Sequence, residues 1–316
     1  MSPSYGGARL FAAAFTLAVL APAANACSIC RCGDPTFNAL GKDIVSAGGW
    51  RFALDWERFS KTQGDVDARD SVVEQRTTAV AAYTLADRVL LVARIPYSEH
   101  TLIETVGGDA ERTHTSGLAD PEIYGQVRLW SSPFKGDLGR RASISATLGV
   151  KTDWGVNDAS RAGERLDQHA QPGTGSIDYF FGLSAYYLID RKSAIFSSVQ
   201  SRVPGSNDLG YRYGSVYLAN LAYERKLNET VDTVLELNYR HAGRDRIDSS
   251  GALDGDTGGS VLYLTPRVLF NVGGGVVLRA AVQVPIARSL YGVQSEKTVY
   301  NLGVTYAFSG VPGRRR

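Results

Sequence analysis

The sequence predicts an all-β fold, a closed antiparallel transmembrane β-barrel of about 12 strands, within a range of roughly 10 to 14. Three observations predict it. Apolar and small or polar residues alternate with a period of two, the connections alternate between tight turns and long loops, and an export signal precedes them. A sheet that faces lipid must close on itself, because unpaired backbone groups at an open edge are costly in hydrocarbon. The first strand should therefore pair with the last.

The chain begins with a segment typical of a secretory signal peptide. Arg9 precedes an apolar run from Leu10 to Ala21, and Ala24-Asn25-Ala26 has the small-residue pattern of a cleavage site. The apolar run is too short to cross a membrane as a helix. Four parts are therefore predicted: a signal peptide at 1–26, a Cys-rich periplasmic N-terminal segment at 27–49, the transmembrane β-barrel at 50–308 and a disordered tail at 309–316.

The alternation that defines the strands starts near Trp50 and is clearest in the last segment. There one face carries Tyr300, Leu302, Val304, Tyr306 and Phe308, and the other carries Asn301, Gly303, Thr305 and Ala307. The polar face is mostly small, as expected of a narrow lumen, so the large apolar residues face outward. Aromatic residues near strand ends, such as Trp50 and Tyr83, are expected to form girdles at the lipid headgroups.

The predicted strands run near residues 50–61, 73–85, 88–100, 120–131, 142–154, 177–189, 193–203, 211–224, 230–242, 260–272, 276–288 and 298–308. Tight turns are expected at 86–87, 190–192, near Asn228 and at 273–275, and long polar loops near 62–72, 101–119, 155–176 and 243–259. Both ends of the barrel fall on the short-turn side. In an outer-membrane barrel that side is periplasmic. Both termini are therefore predicted to lie in the periplasm, and the protein is predicted to lie in the cell outer membrane.

Prolines lie in or directly beside several predicted strands. Pro96 and Pro285 fall late in the third and eleventh strands and Pro204 at the end of the seventh, where each should end ladder pairing near the external rim. Pro266 falls in the middle of the tenth strand, where the pattern offers no reason for it.

Composition excludes two other classes of protein. The formal net charge is only +2 with both signs interspersed, which does not indicate a nucleic-acid partner. No long apolar segment follows the signal, which excludes a helical membrane protein. Outer-membrane lipid and a small-molecule solute are the expected partners.

The predicted inward face carries charges of both signs. The residues proposed to line the lumen are Arg94, Arg128, Lys151, Asp232, Glu236, Arg240, Arg267 and Arg279. Two interpretations remain open. These side chains either pair across the lumen and fill it, or form a mixed-charge lining along an open path for small solutes.

The three cysteines, Cys27, Cys30 and Cys32, lie within six residues at the start of the predicted mature chain. Arg31 follows Cys30 where covalent haem attachment requires histidine, so a c-type cytochrome is not indicated. The cysteines could bind a soft metal such as Cu(I), form a periplasmic disulfide, or carry a lipid on Cys27. The sequence leaves these three alternatives open.

No catalytic arrangement is recognisable, so the protein is not predicted to be an enzyme and no cofactor is predicted. The four histidines fall in or beside the predicted external loops, without a Ser-His-acid spacing or a metal-ligand pattern. His241 is the one candidate for a residue of a membrane-embedded hydrolase.

Several short segments resemble a family of outer-membrane β-barrel transporters described through the meta-cleavage pathway of phenol degradation. They are Arg94-Ile95-Pro96-Tyr97, Gly117-Leu118-Ala119-Asp120, Gly173-Thr174-Gly175-Ser176-Ile177-Asp178 and Val282-Gln283-Val284-Pro285, and the segment Cys27–Pro35 looks like the start of a subgroup with a CxxCxCGDP motif. Ala119 replaces a glycine that is common in that family's motif.

The resemblance implies an outer-membrane channel or transporter for small, apolar or aromatic molecules. The alternative hypothesis is a filled barrel that binds a metal or docks a periplasmic protein partner through Cys27, Cys30 and Cys32.

Overall fold

The computed structural model describes residues 49–64, 68–106, 109–133, 142–247 and 251–309. The predicted signal peptide, Cys-rich segment and tail lie outside the described residues, apart from the strand residues Gly49 and Ser309. In chain order the strands are β1 (Gly49–Gln63), β2 (Ala68–Ala86), β3 (Val89–Val106), β4 (Asp109–Leu118), β5 (Glu122–Ser131), β6 (Ala142–Lys151), β7 (Ser160–Arg161), β8 (Glu164–Arg165), β9 (Asp178–Asp190), β10 (Ser193–Pro204), β11 (Val216–Lys226), β12 (Val231–Ala242), β13 (Gly259–Gly273), β14 (Val276–Leu290), β15 (Gln294–Glu296) and β16 (Val299–Ser309), and a 3-10 helix covers Gln168–Ala170.

Twelve of these strands form a closed antiparallel barrel, as the sequence predicted. The order around the wall is β1, β2, β3, β5, β6, β9, β10, β11, β12, β13, β14 and β16. The ring closes where β1 pairs with β16, from Gly49 opposite Ser309 to Arg58 opposite Tyr300. Within the described ranges, none of the helices has the length and apolar character needed to cross a bilayer.

The two ends of the barrel have different connections. At one end, called the turn rim, short turns join β2 to β3, β9 to β10, β11 to β12 and β13 to β14. At the other end, called the loop rim, long connections include residues 152–177 and 205–215. Gly49 and Ser309 face each other at the turn rim, so both ends of the wall lie there. That the turn rim is periplasmic stays a prediction.

Strand boundaries differ from the prediction at the loop rim. Residues 101–119, predicted as a long polar loop, instead extend β3 and return as β4, and the two pair from Tyr97 with Leu118 to Val106 with Asp109. Thr113 and Thr115 are buried on β4 between exposed neighbours, so the two-residue period persists there in polar residues. A period carried by polar residues does not appear in a hydrophobicity pattern, which is why the prediction was wrong here.

The wall separates two environments. Large apolar residues on its outer face are exposed, among them Leu148 at 70% and Leu302 at 55%, whereas inward-facing charged residues such as Glu236 are fully buried. A continuous apolar belt of this kind would promote aggregation in water but matches the hydrocarbon of a bilayer. The period-two alternation of the sequence is the direct cause, because successive side chains of a strand point to opposite faces.

An aromatic seam covers the closure of the barrel near the turn rim. Trp50 stacks on Phe52 at 5.7 Å between ring centroids and lies 4.7 Å from Tyr83 of β2. Across the closing pair of strands, Phe52 lies 6.1 Å from Phe308, which lies 5.7 Å from Tyr306. These five rings form part of a girdle at the level where amphipathic aromatic residues favour the membrane interface.

Each of the four strand prolines lies where a ladder is interrupted. β3 pairs with β5 up to Arg94 and with β4 from Tyr97, so Pro96 stands at the change of partner. Pro204 is the last residue of β10, and Pro285 follows the end of the β14–β16 ladder at Gln283. The β13–β14 ladder pairs Leu264 with Val284 and resumes at Arg267 with Ala281, so Pro266 lies in the gap. A residue without a backbone donor is accommodated at such positions.

Candidate functional site

Charged side chains occupy the interior of the barrel and pair with one another. On the side formed by β3, β5 and β10, Glu122 accepts a hydrogen bond from Arg94 at 2.7 Å and one from Arg202 at 2.5 Å. Arg202 also lies 3.8 Å from Asp178 at the start of β9. A carboxylate shared by two guanidinium groups is compensated in the low-dielectric interior, which is the condition for burying it.

The chain of ion pairs continues from Asp178 to a buried lysine. Lys151, the last residue of β6, lies 3.5 Å from Asp178 and donates to Asp120 at 2.8 Å. Its ammonium group also donates to the Thr174 hydroxyl at 2.5 Å and to the Ser176 carbonyl at 2.6 Å. Lys151 therefore joins the wall of the barrel to the end of the connection between β6 and β9.

Asp120 anchors that connection at its two ends. It accepts hydrogen bonds from the Gly155 backbone at 3.0 Å and from the Thr174 backbone and hydroxyl, each at 2.7 Å. A Cβ added at Gly155 or Gly173 would lie 2.6 Å or 2.9 Å from the Asp120 carboxylate, so glycine is required for the close approach. The segments 117–120 and 173–178, quoted above for a family resemblance, thus form one structural unit around Lys151, called the loop anchor.

Three further ion pairs lie inside the opposite side of the wall. Arg267 donates to Glu236 at 2.7 Å, and Arg279 donates to Asp55 at 2.6 Å. Gly303 faces the second pair, and a Cβ there would collide with the Asp55 carboxylate. The third pair joins Arg240 to Glu296 on β15, a carboxylate that also accepts from the Tyr263 hydroxyl.

The connection between β6 and β9 folds inward beneath the loop rim. Its 3-10 helix is held by Thr115 and Tyr213, whose hydroxyls donate to the backbone carbonyls of Ala170 and Gln168. Ala170 and Leu166 pack against an apolar cluster that also contains Val72, Leu102, Tyr211 and Tyr213. The segment at residues 155–171, called the inner loop, therefore packs through its second half against inward-facing residues near the loop rim.

An aspartate and a histidine fix the end of the inner loop. The Asp167 carboxylate accepts from the His169 backbone at 2.8 Å and lies 2.6 Å from its Nδ1. Burial alone would raise the pKa of Asp167, but the hydrogen bonds and charge of His169 outweigh burial and hold this pKa at about 2. The Nε2 of His169 faces Tyr211 at 3.2 Å and Asp245 at 3.7 Å. The imidazole thus links the loop to two further segments at the rim.

Six of the eight predicted lining residues lie in these buried ion pairs: Arg94, Lys151, Glu236, Arg240, Arg267 and Arg279. The structure does not bring the other two together with them. Arg128 donates to the Asp87 carbonyl at the turn rim, and Asp232 lies close to the turn between β11 and β12. Cys27, Cys30 and Cys32 lie outside the described residues.

The sequence-based list missed several members of the network. Asp120 and Asp178 were visible only as parts of a motif, and Arg202 and Glu296 lie at or beyond strand ends, where the alternation gives no signal. His241, the one candidate for a catalytic residue, has its Nδ1 2.8 Å from the Ser260 hydroxyl and stacks on Tyr217. Its neighbours are thus a serine and a tyrosine.

A comparison with solved structures supports the barrel fold. No protein-family model matches the chain, and no curated protein matches it. The COG4313 outer membrane channel from Pseudomonas putida F1 superposes with a TM-score of 0.64 and 12% identity, covering 84% of this chain and 97% of that chain. The CymD monoaromatic hydrocarbon channel gives a TM-score of 0.44 at 7% identity, covering 84% of this chain and 89% of that chain. The closed barrel and its apolar belt place the protein in the outer membrane.

Proposed function

We propose that the protein is an outer-membrane channel for small molecules whose closed state is the one described above. The observation that carries the proposal is the network of buried ion pairs inside the lumen. Replacing buried ion pairs by apolar residues is often neutral or stabilising, so a barrel that only needed filling would not require them. Ionisable groups kept inside a membrane protein mark pathways for solutes. The fold shared with an outer membrane channel supports this conclusion.

In this proposal the turn rim faces the periplasm and the inner loop closes the external entrance. Residues 1–26 are removed on export, residues 27–49 precede the barrel in the periplasm, and 309–316 follow it. The solute is a small molecule of the apolar or aromatic class that the family resemblance implies. Opening requires the inner loop to leave the apolar cluster around Tyr211 and Tyr213. The protein acts as a conduit, and no catalytic step is part of the proposal.

Single-channel conductance in planar bilayers tests the proposal, with heat-modifiable gel mobility to confirm that the barrel is folded. Wild type should open rarely, and a variant in which residues 160–170 are replaced by two glycines should open often, because the 3-10 helix and its contacts are gone. Arg161→Gln serves as a matched control, since Arg161 pairs with Glu111 at the exposed surface of the loop. A folded loop-deleted barrel that admits no ion and no small solute would contradict a channel.

The complete burial of Glu236 and Glu296 favours a second candidate, the filled barrel. In that case the Cys-rich segment carries the function, by binding a soft metal or docking a periplasmic protein. Replacing Cys27, Cys30 and Cys32 together with serine should then abolish Cu(I) binding in a competition with a chromophoric chelator. Equal Cu(I) affinity of the wild type and the triple variant would remove the metal-binding form of this candidate.

A further inference from the structure

A small pocket lies at the waist of the barrel, between the ion pairs described above. Its volume is about 20 Å³, which is enough for about one water molecule or one small ion. Strands β1, β2, β3, β13 and β16 line it, and its polar lining includes Asp55, Arg76, Arg94, Arg267 and Asn301. The pocket lies on the inner side of the membrane-spanning wall, so its occupant must match the groups around it.

Several of these groups have hydrogen-bonding capacity that the protein does not use. Within the described ranges, Nε of Arg94, Nη2 of Arg267 and both amide atoms of Asn301 are buried without a hydrogen-bond partner. Arg267 is 4% exposed and Asn301 6% exposed. Buried donors without an acceptor are destabilising, so an occupant that accepts hydrogen bonds is favoured in this pocket.

The two arginines are held in place from outside the pocket. Glu122 binds Arg94 at 2.7 Å through Nη1, and Glu236 binds Arg267 at 2.7 Å through Nε. Neither carboxylate lines the pocket. The guanidinium groups are therefore fixed in orientation before any occupant arrives, with the Nε of Arg94 and the Nη2 of Arg267 left to bind it. Preorganised charged donors bind an anion with little further loss of conformational entropy.

The charge balance at the pocket decides the kind of occupant. Arg76, Arg94 and Arg267 line it on the positive side, and Asp55 and Glu57 on the negative side, with Asp55 bound to Arg279 at 2.6 Å. The three guanidinium groups outnumber the two carboxylates, and Asp55 is already paired with Arg279, so the lining disfavours a metal cation. We propose that this pocket binds a small monovalent anion, held by Arg94, Arg267 and Asn301. This proposal is independent of the proposed channel function, because an anion can bind in the pocket whether or not the barrel conducts.

Asn301 provides the cleanest test, because its substitution breaks no hydrogen bond within the described protein. Chloride is the probe, and binding is measured as ³⁵Cl NMR line broadening on the full-length protein in micelles of a non-ionic detergent. In Asn301→Asp the new carboxylate takes the place of the anion beside the two arginines. Excess broadening should fall at least about tenfold, because like charges at close range are strongly unfavourable. Asn301→Ala removes only the amide, and the affinity should fall about threefold to tenfold.

Gln126→Glu is the matched control, since Gln126 is a buried amide on β5 inside the barrel that does not line the pocket. It should broaden the signal like wild type. Equal broadening by wild type, Asn301→Asp and Asn301→Ala would overturn the proposal and leave water as the occupant. Competition by acetate shows whether the site also accepts a carboxylate. Chloride binding without any conductance would contradict the channel but not the anion site. Conductance without chloride binding would contradict the anion site but not the channel.

Discussion

The loop anchor makes one strong prediction, which concerns the buried ammonium group of Lys151. In Lys151→Met the chain length is nearly kept, but the carboxylates of Asp120 and Asp178 lose their shared cation. Both carboxylates are buried. Removing one member of a buried ion pair costs about 3 to 5 kcal/mol, because the charge left behind is uncompensated.

The hydrogen bonds and ion pairs that remain in Lys151→Met place the expected loss of stability at the lower end of this range. Asp120 keeps hydrogen bonds from the Thr174 backbone, the Thr174 hydroxyl and the Gly155 backbone. Asp178 keeps the Ser176 hydroxyl at 2.9 Å and Arg202 at 3.8 Å. A cost of about 3 kcal/mol corresponds to about 150-fold in the equilibrium between the docked and the released inner loop.

Limited trypsin digestion of the folded protein measures that equilibrium. Arg161 and Arg165 lie in the inner loop and are held in its docked conformation, Arg161 by Glu111 and Arg165 by Asp208. Trypsin needs a locally unfolded segment around the bond it cleaves, so nicking at these two sites should accelerate by up to about 150-fold when opening is fast relative to cleavage. Open-channel events should rise in parallel. The double variant Lys151→Met/Asp120→Asn removes one of the two stranded charges and should recover at least part of the loss.

Lys192→Met is the control, since Lys192 is exposed in the turn between β9 and β10. Its nicking rate should equal that of wild type. If Lys151→Met is folded and its inner loop is nicked no faster than in wild type, then the ion pairs of the loop anchor do not hold the loop, and the reasoning is refuted.

Three further predictions concern the loop anchor, the Asp55–Arg279 ion pair and the inner loop. Gly173→Ala should destabilise the docked loop by about 1 to 3 kcal/mol, because its Cβ would lie 2.9 Å from the Asp120 carboxylate, and faster tryptic nicking would report it. Gly303→Ala should displace the Asp55 carboxylate and lower the urea midpoint of barrel unfolding, whereas an unchanged midpoint would mean that the ion pair adapts. The low pKa of Asp167 contributes stability that is present above the unfolded value near 4 and is lost as pH falls through about 2. Pepsin should therefore nick the loop faster at pH 2 than at pH 4, and Asp167→Asn should remove most of that difference.

The sequence predicts the wall of the barrel well, because a strand repeats every two residues. Once one residue of a strand is known to face inward, the period assigns the rest, which is how Glu236 and Arg267 were placed inside. The same period predicts which face of the wall a side chain lies on, but not its position along the barrel axis. Arg128 and Asp232 share the inward face, yet they lie at the turn rim and join none of the central ion pairs.

The loop anchor could not be predicted in the same way. Lys151 binds Asp120 and Thr174, which are 31 and 23 residues away in sequence. Such a contact depends on which strands are neighbours and on how the connection folds back, and neither follows from local pattern. β4 was missed for a different reason. Its buried residues Thr113 and Thr115 are polar, so no alternation of apolar residues predicts a strand there.

The aromatic seam has a consequence for how assembly can be observed. The contact of Trp50 with Tyr83 joins β1 to β2, neighbours in sequence, and can form as soon as that hairpin exists. The contact of Phe52 with Phe308 joins strands from opposite ends of the chain and exists only in the closed ring. A spectroscopic reporter at each pair would therefore time two separate events, hairpin formation and ring closure, within a single refolding experiment.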